Sequence, residues 1–199
     1  TQGVSSAASD VYKRQDYEYG SDGRKLRTVH QTGNTILTTD YCGNAIYENG
    51  SLKLLLTETG YVSFPDKKFH FYLKDHQGNV RVVADKDGKL EETNDYYPFG
   101  GTFTTSTSVQ SYKYNGKELD RKNGLDWYDF GARHYDAVIG RWYVQDPLNE
   151  MNNANPYLFC FNNPLRYVDI MGLDTIPVSQ LPEKWSNFNE NKDVVSLNE

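Results

Sequence analysis

The feature that most constrains this chain is a rhythm. Short runs alternating apolar and polar residues, each closed by a glycine-containing turn, recur about every ten residues. Tyr17-Glu-Tyr19 alternates, Ser21-Asp-Gly23 supplies a turn, and Arg24 to Val29 reads as the returning strand of a hairpin. The same grammar runs from Tyr41 to Tyr47, through Glu48-Asn-Gly50 and into Ser51 to Leu56, with Asn-Gly the strongest short hairpin signal. Gly60 to Phe64 follows. Lys68 to Leu73 and Asn79 to Ala84 then flank Asp75-His-Gln-Gly78, and Asp85-Lys-Asp-Gly88 turns the chain again. This spacing fits a sandwich, a barrel or a repetitive sheet, and not βαβ units. Composition agrees: 16 Tyr, 9 Phe and 3 Trp stand against 2 Met in 199 residues, and aromatic side chains favour pleated, half-buried surfaces. The expected fold is all-β, an antiparallel, Tyr-rich sheet of hairpins.

Three stretches depart from the rhythm. Thr102 to Ser111 is dominated by Thr and Ser without an apolar face and reads as an exposed loop. From Asp174 to Glu199 the character turns to Pro, Asn, Glu and Lys, which predicts a flexible tail or the start of another module. Residues 1–15 are rich in Ser and Ala, and Val4 to Gln15 resembles a translated sequencing adapter, so they are expected to be a non-native leader on a fragment.

Other chemistry is excluded by what the chain lacks. A formal charge of −6 supplies no broad basic footprint for nucleic acid or an anionic membrane. No run approaches the roughly 18 apolar residues of a membrane span. Cys42 and Cys160 are too few for a disulfide framework or a cysteine-only zinc site. His30, His70, His76 and His134 have no metal-ligand spacing, and no phosphate loop or nucleophile elbow is present. No metal and no cofactor is expected.

The densest pattern lies between Tyr112 and Leu173. It contains Tyr114-Asn-Gly-Lys-Glu118, Gly124-Leu-Asp-Trp-Tyr-Asp-Phe-Gly-Ala-Arg133, Tyr135-Asp136, Gly140-Arg-Trp142, Gln145-Asp-Pro147 and Asn162-Asn-Pro164. Ahead of it stand Tyr17-Glu-Tyr-Gly-Ser-Asp-Gly-Arg24, Gly43 to Gly50, Tyr72 to Arg81 and Tyr96-Tyr-Pro-Phe-Gly100. Together these strings resemble the RHS and YD-repeat family, with YD-type hairpins over residues 16–101 and the repeat-associated core over 112–173. The resemblance implies part of a spiral β shell closed by a compact C-terminal plug. It also implies a secreted or surface protein that encapsulates and releases a C-terminal effector in cis, with an immunity protein or secretion apparatus as further partners. The alternatives are a surface adhesion module and an inactive core remnant.

Self-cleavage at the end of the core is the chemistry this resemblance implies. Pro164-Leu-Arg-Tyr-Val-Asp169-Ile-Met-Gly172-Leu173 is similar to the family's cleavage motif, with Ile170 where many members have proline, and the cut would follow Leu173. Asp146, 23 residues before Asp169, matches a second aspartate of the family. Two nearby carboxyl groups hydrolyse an amide when one is ionised and activates water while the other stays protonated and polarises the carbonyl. Arg141 is expected to orient a carboxylate or to stabilise charge on the scissile carbonyl, and Gly172 to allow close backbone approach. Spacing alone favours two turn-forming aspartates, Asp146 before Pro147 and Asp169 ahead of Gly172. With most of a shell absent, the fragment itself is expected not to cut.

Overall fold

A computed structural model describes residues 13–21, 23–103, 108–148 and 155–181. The leader up to residue 12, the centre of the Ser/Thr-rich loop and the tail beyond 181 lie outside the described residues. The chain divides into two compact units, Thr1–Phe69 with Arg121–Leu125, and His70–Asp120 with Asp126–Glu199. The described residues are almost entirely strand and turn, and every described strand pair is antiparallel.

The first unit is a meander. Strands β1 (Lys13–Tyr19), β2 (Lys25–Thr32), β3 (Thr35–Cys42), β4 (Ala45–Glu48), β5 (Ser51–Thr57) and β6 (Gly60–Ser63) pair in sequence order. The turn at Asn49 and Gly50 forms as expected, with both residues at positive φ, 48° and 79°, the twist a two-residue hairpin needs. Three points differ from the sequence reading. Tyr41 to Tyr47 is not one strand: Gly43 at φ 65° reverses the chain, so Cys42 pairs with Ala45 across a hairpin. The Thr-rich run Thr35–Cys42 is a full strand because Thr39 is buried opposite Thr28's strand, paired with it across the sheet; β-branched threonines suit that position. The sheet also begins at Lys13, so Lys13, Arg14 and Gln15 pair with Thr32, Gln31 and His30.

In the second unit β7 (Lys68–Lys74, from His70 onward), β8 (Val80–Asp85) and β9 (Leu90–Thr93) pair in order. The turn Asp75 to Asn79 is tied by its own side chains. Asp75 Oδ1 accepts the Gln77 and Asn79 amides at 3.0 and 3.1 Å, and Asp75 Oδ2 accepts Asn79 Nδ2 at 2.9 Å. Its far side is tied to residues later in the same unit: Asn79 Oδ1 accepts the Asn115 amide at 2.7 Å, Asn115 Nδ2 donates to the Gln77 carbonyl, and Gln77 Nε2 donates to the Pro164 carbonyl at 2.6 Å.

A second sheet is formed by β10 (Glu118–Asp120), β11 (Trp127–Asp129), β12 (His134–Asp136) and β13 (Arg141–Trp142). Its central positions Leu119, Tyr128, Tyr135 and Trp142 all face one way, as strand alternation requires. They join Tyr114, Phe130, Phe159 and Cys160 in one buried cluster. Tyr135 stacks on Phe159 at 4.0 Å between centroids, and Phe130 meets Trp142 edge-on at 5.1 Å. Buried tyrosines remain satisfied because their hydroxyls reach backbone: Tyr114 to Pro98, Tyr128 to Gly100 and Tyr135 to Phe99, at 2.8–3.0 Å. Finally β14 (Tyr167–Asp169) and β15 (Thr175–Pro177) form a hairpin. Thus the first residues of the segment read as a tail are strand, with Ile176 opposite the buried Val168.

Candidate functional site

The β14–β15 hairpin loop, Ile170 to Asp174, is held at six successive backbone groups, from the Ile170 carbonyl to the Leu173 amide. Asp169 ends β14 with its side chain fully buried. Its Oδ1 accepts the amides of Met171, Gly172 and Leu173 at 3.1, 2.6 and 3.1 Å. The carbonyls are taken from the other side: Ile170's by Lys117 Nζ, Met171's by the Ala132 amide at 3.1 Å, and Gly172's by Arg133 Nε at 2.6 Å. The clamp therefore runs from the Ile170 carbonyl to the Leu173 amide. The Leu173–Asp174 peptide bond comes next.

Gly172 makes this packing possible. Its φ is +72°, and a Cβ there would lie 3.1 Å from the Arg133 nitrogen and 3.2 Å from Phe130 Cβ. Gly172→Ala is therefore expected to destabilise the fold by about 1–3 kcal/mol. Urea unfolding measures this, and a change near zero would show that the loop can relax.

Both predicted aspartates meet at one cation, and it is not the predicted one. Arg133 is buried, its guanidinium lies 4.2 Å from the Trp142 ring centroid, and its Nη2 stands 2.9 Å from Asp146 Oδ2 and 3.4 Å from Asp169 Oδ2. The turn between β11 and β12 aims it: Asp129 Oδ1 accepts the Gly131 amide at 2.7 Å, and the Phe130 amide donates to the Arg133 carbonyl. Arg141 instead donates to the Gly140 carbonyl and to Asn162 Oδ1, the latter at 2.6 Å. The reason is strand alternation. Trp142 turns inward to meet Arg133, so its neighbour Arg141 points to the other face. Sequence reasoning kept Arg133 only as part of a motif. A charged residue inside an aromatic, Gly-containing run was the available signal.

The two carboxyl groups also act as turn formers. Asp146 Oδ1 accepts the Leu148 amide at 3.0 Å, as Asp169 accepts its three. Their environments differ. Asp146's side chain is 27% exposed and Asp169's is 0%. Burial drives the Asp169 carboxyl up to about 6 against the pull of the Gly172 amide and Arg133. The same apolar burial raises the Cys160 thiol, which leaves it a packing group. Pro164 is buried beside the plug, its carbonyl held by Gln77.

A carboxyl whose folded pKa lies above its unfolded value binds protons more tightly when folded. Its favourable contribution is complete below the unfolded value of 3.8 and is lost as pH rises through about 6. The stability advantage of the wild type over Asp169→Asn is thus expected to shrink by about 3 kcal/mol between roughly pH 3.5 and 7.5. Urea titrations across that range check it. A pH-independent difference would place the ionisation elsewhere.

No family model matches this chain. It is 30% identical over 180 residues to salivary gland surface protein 1 of Aedes aegypti, covering 76% of this chain and 5% of the relative. It is 33% identical over 123 residues to toxin subunit YenC2 of Yersinia entomophaga, covering 57% of this chain and 12% of the relative. A solved Photorhabdus luminescens Tc holotoxin pore superposes on 87% of this chain and 9% of that one, with a TM-score of 0.69 and 22% identity. The relatives of this chain include bacterial toxin subunits. The fold is the antiparallel β architecture of those proteins, and the chain spans only a small part of their length.

Proposed function

We propose that this chain is the closing end of an RHS-type shell, the repeat-associated core with the hairpins leading into it, and that it processes itself after Leu173. In the intact protein the shell would enclose an effector attached beyond the cut. The carrying observation is the clamp: Asp169, Ala132, Arg133 and Lys117 hold the backbone up to the Leu173 amide, immediately before the bond in question. All of these residues lie in the second unit, so the grip on the loop does not depend on further repeats.

The chemistry assigned to this geometry is hydrolysis. Asp146, the more exposed carboxylate, takes a proton from water as the water oxygen bonds to the Leu173 carbonyl carbon. Asp169, held partly protonated near neutral pH by burial, supplies the proton that the departing Asp174 nitrogen needs as the C–N bond breaks. Arg133 keeps the two acids in one charge-balanced group.

Intact mass spectrometry of the full chain, beside Asp146→Asn and Asp169→Asn, tests this. Because the grip on the loop is complete within the second unit, the expectation that the fragment alone does not cut is reversed here: expected is a wild-type break into residues 1–173 and 174–199 that neither variant shows. A wild-type chain that stays whole overturns self-processing and leaves a structural cap. The second reading, a surface module with a purely structural core, draws on the mosquito surface protein among the relatives. It gains from the uncut outcome.

A further inference from the structure

Lys117 is a lysine in the Tyr114-Asn-Gly-Lys-Glu118 string that neither the motif nor the carboxylate pair explains. The turn Tyr114–Gly116, with Asn115 at φ 49°, delivers it: the Lys113 amide donates to the Lys117 carbonyl at 2.9 Å, and the Lys117 amide donates to the Tyr114 carbonyl at 2.9 Å. With both backbone groups fixed, the side chain runs past the Phe130 ring, its Nζ 5.3 Å from the centroid, to the Ile170 carbonyl. Among the described residues it is the side-chain donor to the N-terminal half of the loop. Ile170 also directly follows Asp169.

We propose that Lys117 is a positioning residue of the processing site: its ammonium fixes the Ile170 carbonyl, which sets the loop leading to Leu173. Its charge also opposes the burial that holds a proton on Asp169, so that acid releases its proton more readily. This rests on the self-processing reading above, yet its physical content is separately measurable. A half-buried ammonium hydrogen-bonded to a carbonyl is incompletely solvated, and burial does lower the Lys117 pKa, while Asp169 and Asp129 oppose that shift. The charged groups around it are Asp169 at the end of β14, Asp129 in β11, and Arg133 in the turn between β11 and β12. Arg133 is occupied with Gly172 and the two aspartates, so Lys117 alone serves Ile170.

Three variants of the full chain separate the roles. Lys117→Met removes donor and charge, Lys117→Gln keeps a donor without charge, and Lys117→Arg keeps both. Hydrogen exchange at Met171, Gly172 and Leu173 reads the loop, with the Tyr135 amide as the reference for global unfolding. Carbon-13 carboxyl shifts read the Asp169 titration. Expected for Lys117→Met is roughly tenfold faster exchange in the loop than at Tyr135, since a hydrogen bond to a charged donor is lost, together with a higher Asp169 midpoint. Lys117→Gln should raise the midpoint while largely retaining loop protection, and Lys117→Arg should restore both. Unchanged loop exchange and an unchanged midpoint in Lys117→Met overturn the proposal, as does an equal rise in exchange at Tyr135, which marks a merely structural lysine. The mass measurement on the same samples decides self-processing separately. An uncut wild type with an altered loop in Lys117→Met refutes cleavage and leaves the positioning intact.

Discussion

Replacing Arg133 by alanine is expected to lower stability near neutral pH by about 3–5 kcal/mol, the usual cost of stripping the partner from a buried charge. Three losses combine. Asp169, fully buried, would keep its three amide donors but lose its counter-charge. The Gly172 carbonyl would lose its 2.6 Å donor, and Trp142 the guanidinium packed on its face. Lysine is a poor substitute, because one ammonium cannot span Gly172 and both aspartates in the manner of a planar fork. The cost should also shrink on acidification below about pH 6, where Asp169 takes up a proton and no longer needs a cation. Chemical denaturation of Arg133→Ala at acid and neutral pH reads both parts. An equal cost at both would mean that packing on Trp142, and not charge, dominates.

The second large effect lies beside the plug. Lys113 and Glu92 form an ion pair in which the side chains are 2% and 0% exposed, and Glu92 Oε2 also accepts the Val109 amide at 2.8 Å. Lys113→Met leaves a buried carboxylate without a cation, so a loss of about 3–5 kcal/mol is expected. Adding Glu92→Leu to the same chain should recover much of it, since apolar groups of similar volume need no desolvated charges to be balanced. The double variant would not recover everything, because the Val109 amide loses its acceptor. A double-mutant cycle by urea unfolding measures the coupling. Strictly additive losses would contradict the pairing.

These two cations mark where the sequence was readable and where it was not. The hairpin grammar was legible because its signals are local: Asn49-Gly50 forms its turn whatever happens elsewhere. Asp169 and Gly172 were legible through a motif. Glu92 was not, since Leu90-Glu-Glu-Thr93 looks like solvent-facing strand. Only the pairing of Glu92 with Val83, itself 0% exposed, sends its side chain inward. Arg133 was missed for a related reason. Arg141 stands nearer Asp146 in sequence, and proximity along the chain proved a poorer guide than the alternation that turns Trp142 inward and Arg141 away. Long-range burial, more than local propensity, decides which charge serves which acid.

The β14–β15 hairpin has a mechanical consequence. Tyr167, Val168 and Asp169 pair with Pro177, Ile176 and Thr175, and the Val178 amide donates to the Arg166 carbonyl at 2.9 Å. The Leu173–Asp174 bond lies inside the loop these pairs close. A chain nicked there would keep its new N-terminus stitched to the neighbouring strand, much as a clipped staple still grips the page. Severing and letting go are then separate events, and the second waits for whatever peels β15 from β14.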